Sequence, residues 1–137
     1  MEPSRLAEIP LFASLERERL AEIAALASEV TADEGQTVAV QGDHGTALFA
    51  IEQGTVEVIA DGERLASLGP GEVFGEIAVI AGGARVASVV ATSPVRLIAL
   101  LDRDVRALER RSPQTYAHLQ DLMGRRLDAS VDPTDSR

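Results

Sequence analysis

The sequence predicts a mainly β protein of the α+β class, a jelly roll or barrel-like sandwich with helices at both ends. Between about Glu29 and Leu101 the chain falls into short β-type runs separated by glycine-bearing turns. Before and after that stretch, apolar residues recur with the helical period. Many short strands at this spacing mark a double-sheet or closed β architecture.

The elements follow in order. In residues 1–28, Leu15, Leu20, Ile23, Ala24 and Leu26 approximate helical spacing between Leu6 and Ala27, and Pro10 punctuates the start. Ser14 stands three residues before Arg17, which predicts half of a capping box. In residues 29–101, Thr37 to Val40, Ala47 to Ile51, Thr55 to Ala60 and Arg64 to Leu68 read as strands. Gly35, Gly42-Asp43, Gln53-Gly54, Asp61-Gly62 and Gly69-Pro70-Gly71 separate them, and Asp61-Gly62 is a strong two-residue hairpin signal. In residues 102–127, Val105 and Leu108, then Tyr116, Leu119, Leu122, Met123 and Leu127, form apolar stripes on two helices broken at Ser112-Pro113. Residues 128–137 are polar and read as a disordered tail.

Composition narrows the function. The 137 residues suit roughly one domain, and 45% apolar with 26% charged residues suits an ordinary globular protein. No apolar run approaches the ~20 residues of a membrane helix, and no secretory leader is evident. Cysteine is absent, which excludes disulfides, thiolate metal sites and a cysteine nucleophile, and a cytoplasmic location fits. Thirteen basic against 22 acidic residues give a formal charge of −9, which argues against direct nucleic-acid binding. Two histidines, His44 and His118, are poor material for a metal centre or a histidine-based catalytic set. The expectation is a binding protein and not an enzyme.

The chemistry concentrates in residues 74–89. A strand end at Phe74 meets Gly75, then a run from Glu76 to Ile80 long enough for one helical turn, then Gly82-Gly83, then Arg85 opening a new strand. The first amides of such a turn lack intrahelical partners and form a small anion pocket. Arg85 supplies the planar fork that phosphate oxygens prefer. Glu76 fits a ligand that also donates a hydroxyl, as a ribose does. Taken alone, Glu76 is a helix-start acid worth ~0.3–1 kcal/mol, and Arg85 alone is a solvated arginine. Their pairing at this spacing, with the glycines, describes a nucleotide site.

Phe74-Gly75-Glu76-Ile77-Ala78-Val79-Ile80, followed by Arg85-Val86-Ala87-Ser88-Val89, closely resembles the phosphate-binding cassette of the cyclic nucleotide-binding domain family. That family includes the catabolite activator sensory domain, protein kinase A regulatory subunits and cyclic-nucleotide-gated channels. Pro10-Leu11-Phe12 with Leu15, Gln41-Gly42-Asp43 and the run from Ile51 to Val58 resemble further family signatures, so the likeness spans about residues 9–127. It implies a double-stranded β-helix jelly roll flanked by N-terminal and C-terminal helices, with a short helix in the cassette. By the same resemblance Glu76 binds the ribose 2′-hydroxyl and Arg85 the exocyclic phosphate oxygens. The backbone of Gly75, Ile77 and Ala78 lines the phosphate and ribose, with the amide of Val86 beside it. Val58, Ala66, Leu68 and Phe74 form an apolar wall against the purine. The last helix closes as a lid from which Arg125 or Arg126 reaches the base.

Three departures from the family pattern matter. Ala84 stands where proline often precedes the arginine, which softens the loop. Val86 stands where relatives that prefer cGMP commonly carry threonine, so cAMP is favoured, with cGMP the weaker alternative. No tryptophan or tyrosine lies near the end of the lid. The resemblance implies no cofactor or metal, a cyclic nucleotide as small-molecule partner, an effector domain or protein partner, and a homodimer through the lid helices. The chain ends too soon for the helix-turn-helix domain of activator-type relatives, which leaves a stand-alone sensor or an N-terminal sensor of a longer protein. Two rival classes are a ligand-free relative serving as an interaction or dimerisation module, and a cupin-like metalloenzyme. Intact Glu76 and Arg85 oppose the first, and the lack of clustered histidines opposes the second.

Overall fold

Three short helices open the chain: α1 (Pro3–Ala7), α2 (Pro10–Ala13) and α3 (Arg17–Leu26). Proline begins both α1 and α2, where its fixed φ and missing N–H suit the first helical position. The expected half capping box does not form. Ser14 holds a helical backbone at the end of α2, and an N-cap needs an extended one. Glu16 supplies that extended backbone and α3 starts after it, without a side-chain cap bond. The computed structural model describes residues 1–42, 47–74, 87–118 and 120–121.

Eight strands follow among the described residues: β1 (Ser28–Ala32), β2 (Thr37–Ala39), β3 (Ala47–Gln53), β4 (Val56–Ala60), β5 (Glu63–Leu68), β6 (Val73–Phe74), β7 (Ser88–Ala91) and β8 (Val95–Leu101). They form two antiparallel sheets, ordered β1-β8-β3-β6 and β2-β7-β4-β5. The chain changes sheet at nearly every step, so sequence neighbours mostly face each other across the core. That winding is the jelly-roll arrangement anticipated from strand spacing. The β4–β5 hairpin turns at Asp61-Gly62, with φ of 53° and 79°, the pair of left-handed residues that a two-residue turn requires.

Two apolar clusters share the first sheet. Its inner face presents Phe49, Ile51, Leu97 and Ala99 to Val56, Val89 and Ala91 of the second sheet. Its outer face presents Leu48, Ala50, Ile98 and Leu100 to Leu6, Ile9, Phe12 and Ile23 of the helical segment. Burial on both faces explains why β8 lacks alternation: a continuous apolar run fits a strand sandwiched between layers. The opposite reason hides β1, an edge strand exposed at every position except Ala32.

After β8, α4 (Asp102–Arg111) sets Val105 and Leu108 into the helical-side cluster. Asp102 and Asp104 occupy its first turn and Arg110 and Arg111 its last, the charge order the helix dipole favours. Ser112 interrupts it at φ −150°, ψ 75°, and residues 113–118 are helical again. The break falls where Ser112-Pro113 places it in the sequence.

Candidate functional site

Residues 75–86 lie outside the described residues, and with them Gly75, Glu76, Ile77, Ala78, Arg85 and Val86; so do Arg125 and Arg126, and His44. The structure describes what brackets that segment. It departs from Phe74 on β6, at one edge of the first sheet, and returns at Ala87 ahead of β7, inside the second. Its ends are therefore anchored in opposite layers of the sandwich.

The four remaining candidates are described. Antiparallel register aligns Ala39, Val89, Val58 and Ala66 in one row across the second sheet, and Leu68, Val56 and Ala91 in the next. Val58 and Leu68 pack against the inter-sheet cluster that contains Phe74. Phe74 stacks on Phe49 with ring centroids 5.1 Å apart and planes 24° apart. Such a pair is worth ~0.5–1.5 kcal/mol beyond area burial and holds the residue preceding Gly75 in place. Ala66 continues the row but is exposed, at the outer edge of the sheet. Val58, Leu68 and Phe74 are thus brought together, with Ala66 at the margin.

Sequence reasoning missed the residue that braces this row. Gln41 donates through Nε2 to Asp61 Oδ1 (3.0 Å) and accepts at Oε1 from the Asp61 amide (2.9 Å). Its own amide donates to Ser88 Oγ (2.8 Å). One glutamine therefore ties the β4–β5 turn to the start of β7, the strand on which residues 75–86 return. The Gln41-Gly42-Asp43 signature marked a turn, but nothing local in it reveals a partner 20 residues away.

A second polar centre lies on the outer face of the first sheet. Glu52, with its side chain 7% exposed, accepts from Arg5 at both carboxylate oxygens (2.9 and 2.5 Å) and from Arg96 Nε (3.1 Å). Arg5 also reaches Glu29 at 2.7 Å. These contacts pin α1 across β1, β3 and β8, beside a groove of about 400 Å³ that Pro10, Gly71 and Arg96 help to line. Its charges are matched to one another, and the groove lies on the face of the sheet opposite the Val58–Phe74 cluster.

The Arg5 hydrogen bonds hold the Glu52 carboxyl below the usual carboxylate range, against burial, which acts the other way. A depressed folded value stabilises the fold above the unfolded value of ~4.3 and loses that contribution as pH falls through the folded one. Glu52→Gln should therefore melt below wild type at neutral pH. The gap should close on acidification below about pH 4. Thermal melts across pH decide this, and a constant gap would show that the carboxylate charge is irrelevant.

Two antiparallel sheets wound as a jelly roll, with helices at both ends and an apolar row across the second sheet, define a β-roll. Comparison with known proteins makes the class specific. The pattern describing the cyclic nucleotide-binding domain matches residues 29–112, more than half of the chain, and the chain belongs to that family. It is 41% identical over 99 residues to a cyclic AMP receptor protein of Thermus thermophilus, covering 69% of this chain and 46% of that protein. It is 39% identical over 90 residues to a cAMP-dependent protein kinase regulatory subunit of Yarrowia lipolytica, covering 66% of this chain and 24% of that one. The chain thus spans less than half the length of these relatives. A putative cyclic nucleotide-binding protein of Geobacter metallireducens superposes with a TM-score of 0.84 at 25% identity, over 94% of this chain and 97% of that one.

Proposed function

We propose that this domain is a cAMP-binding sensor that transmits ligand occupancy through its C-terminal helices. The observation that carries the reading is the apolar row through Val58 and Val89, packed on the cluster that holds Phe74, the residue immediately before 75–86 in the sequence. A nucleotide held by Glu76 and Arg85 would lay its base along that apolar surface. Relatives described as a cyclic AMP receptor protein and a cAMP-dependent kinase regulatory subunit support the same ligand class. In this role the protein is regulatory: Glu76 accepts a ribose hydroxyl, Arg85 neutralises phosphate, and neither needs to move a proton or a bond. No cofactor or metal enters the scheme, and the effector is a partner protein or domain, or a second copy of the chain.

Calorimetric titration of nucleotide-stripped protein with cAMP, cGMP and a panel of divalent metals tests this. Saturable heat with cAMP, weaker with cGMP and none with metals is the expected result. Silence with both nucleotides would leave an interaction module in its place.

Specificity rests on residue 86. Val86→Thr introduces a hydroxyl where relatives that prefer cGMP carry one, and one good hydrogen bond contributes ~0.5–1.5 kcal/mol. The cGMP-to-cAMP affinity ratio should therefore rise about two- to tenfold. An unchanged ratio would mean that the bound base does not approach this residue.

A further inference from the structure

Gln41 follows the end of β2, and its contacts cross the second sheet where the chain enters β7. In the order β2-β7-β4-β5, β7 stands between β2 and β4, and its first residue, Ser88, faces Ile59 of β4. The Gln41 amide donates to Ser88 Oγ at 2.8 Å. Its side chain reaches past β7 to the β4–β5 turn, where Asp61 Oδ1 accepts (3.0 Å) and the Asp61 amide donates (2.9 Å). Strands two spacings apart, as β2 and β4 are, lie ~10 Å from each other. A carboxamide brings donor and acceptor together at the end of that reach; glutamate has no N–H, and asparagine is one methylene shorter. The ladder needs help here. Ile59 and Ser88 form the end pair of β4 with β7. The register of β2 on β7 shifts between Thr37 and Ala39, and that of β4 on β5 shifts between Val58 and Ile59.

We propose that Gln41 is a positioning residue for the cyclic nucleotide, holding the β4–β5 hairpin and the start of β7 at a fixed separation before ligand arrives. The hairpin carries Val58, Ala66 and Leu68, and β7 begins three residues after Arg85 in the sequence. A nucleotide that lays its base on the first and its phosphate on the second needs both in one arrangement. Order already present in the free protein does not subtract from the binding free energy, whereas order imposed by the ligand does. Gln41 acts through Ser88 and Asp61 and needs no contact with the ligand. Its bonds lie toward the surface, where water can replace them, so their loss loosens one corner of the sheet and leaves the core intact. The role rests on the function proposed above, while the brace itself exists without ligand.

Calorimetric titration of the nucleotide-stripped chain with cAMP, paired with hydrogen exchange read by mass spectrometry, tests this. Gln41→Glu removes the N–H donor and sets a carboxylate against that of Asp61. Affinity for cAMP should fall about three- to tenfold, the effect of losing roughly one net hydrogen bond. In the ligand-free variant, exchange at residues 60–63 and 88–91 should speed while β1, β3 and β8 keep wild-type rates. Saturating cAMP should remove most of that difference, because the ligand then imposes the order that the brace no longer supplies. Adding Asp61→Asn to Gln41→Glu returns an N–H donor to the pair from the opposite side chain. That second substitution should restore both affinity and exchange. Wild-type affinity in Gln41→Glu, affinity lost without faster exchange at 60–63 and 88–91, acceleration spread through the first sheet, a difference that persists at saturation, or failure of Asp61→Asn to rescue would each overturn the proposal. If the wild-type chain binds no cAMP, the function proposed above fails and this role falls with it, a result distinct from a wild type that binds and a variant that binds equally well.

Discussion

Arg85→Ala is expected to weaken cAMP binding about thirtyfold or more. In the proposed site the cyclic phosphate carries a full negative charge out of water, and backbone amides alone replace only part of that solvation. Removing one partner of a buried, hydrogen-bonded charge pair costs ~2–5 kcal/mol, and 1.4 kcal/mol is tenfold in affinity. Arg85→Lys should recover part of the loss, because an ammonium supplies the charge without the planar two-pronged geometry. Titration calorimetry of both variants reads the effect. An Arg85→Ala protein that binds cAMP within about threefold of wild type would remove the assignment of this segment as a phosphate site.

Gly54→Ala should be the most damaging single methyl group added to the described fold. Gly54 turns β3 into β4 at φ +89°, and an added Cβ would lie 2.3 Å from the Pro94 carbonyl oxygen and 2.9 Å from Val95 Cα. These are backbone atoms of the facing β7–β8 turn and cannot rotate away. The two turns are also joined by Thr55, whose amide donates to Ser93 Oγ (3.0 Å) and whose carbonyl accepts from the Thr92 amide (2.9 Å). Left-handed backbone at a non-glycine residue costs ~1–2 kcal/mol, and forcing atoms into a packed site costs a further ~1–3 kcal/mol. The melting temperature should fall on the order of 10 °C. Gly35→Ala is the matched control: φ is +87° there, but no heavy atom lies within 4 Å, so only the backbone strain applies. Equal losses at the two positions would refute the steric argument.

How far the sequence carried depended on the range of the interaction. The Asp61-Gly62 turn was legible because the backbone conformation there is demanded by two adjacent residues. Val105 and Leu108 were legible as core because helical periodicity is local, and Ser112-Pro113 marked a break for the same reason. The proposed contacts of Glu76 and Arg85 were readable because both stand in one short segment with its own glycines. By contrast, β8 gave no alternation, since only the arrival of helices on its outer face makes both of its sides interior. One helical run became three helices because Pro10 and the extended Glu16 reset the chain direction twice, with burial deciding where.

The sequence alone therefore determined the order of helix and strand regions, the turns, and a compact segment whose residue types suit a nucleotide. Tertiary structure alone decided which distant side chains meet. Glu52 collects Arg5 and Arg96 from elements 47 and 44 residues away, and Thr115 meets Glu22 across 93. Gln41 reaches Ser88 across 47 because β2 pairs with β7. Local patterns follow from φ, ψ and side-chain period, which each short stretch carries within itself. Long-range polar partners follow from strand order and layer packing, and a carboxylate or hydroxyl carries no mark of its partner until the sheets have closed around it.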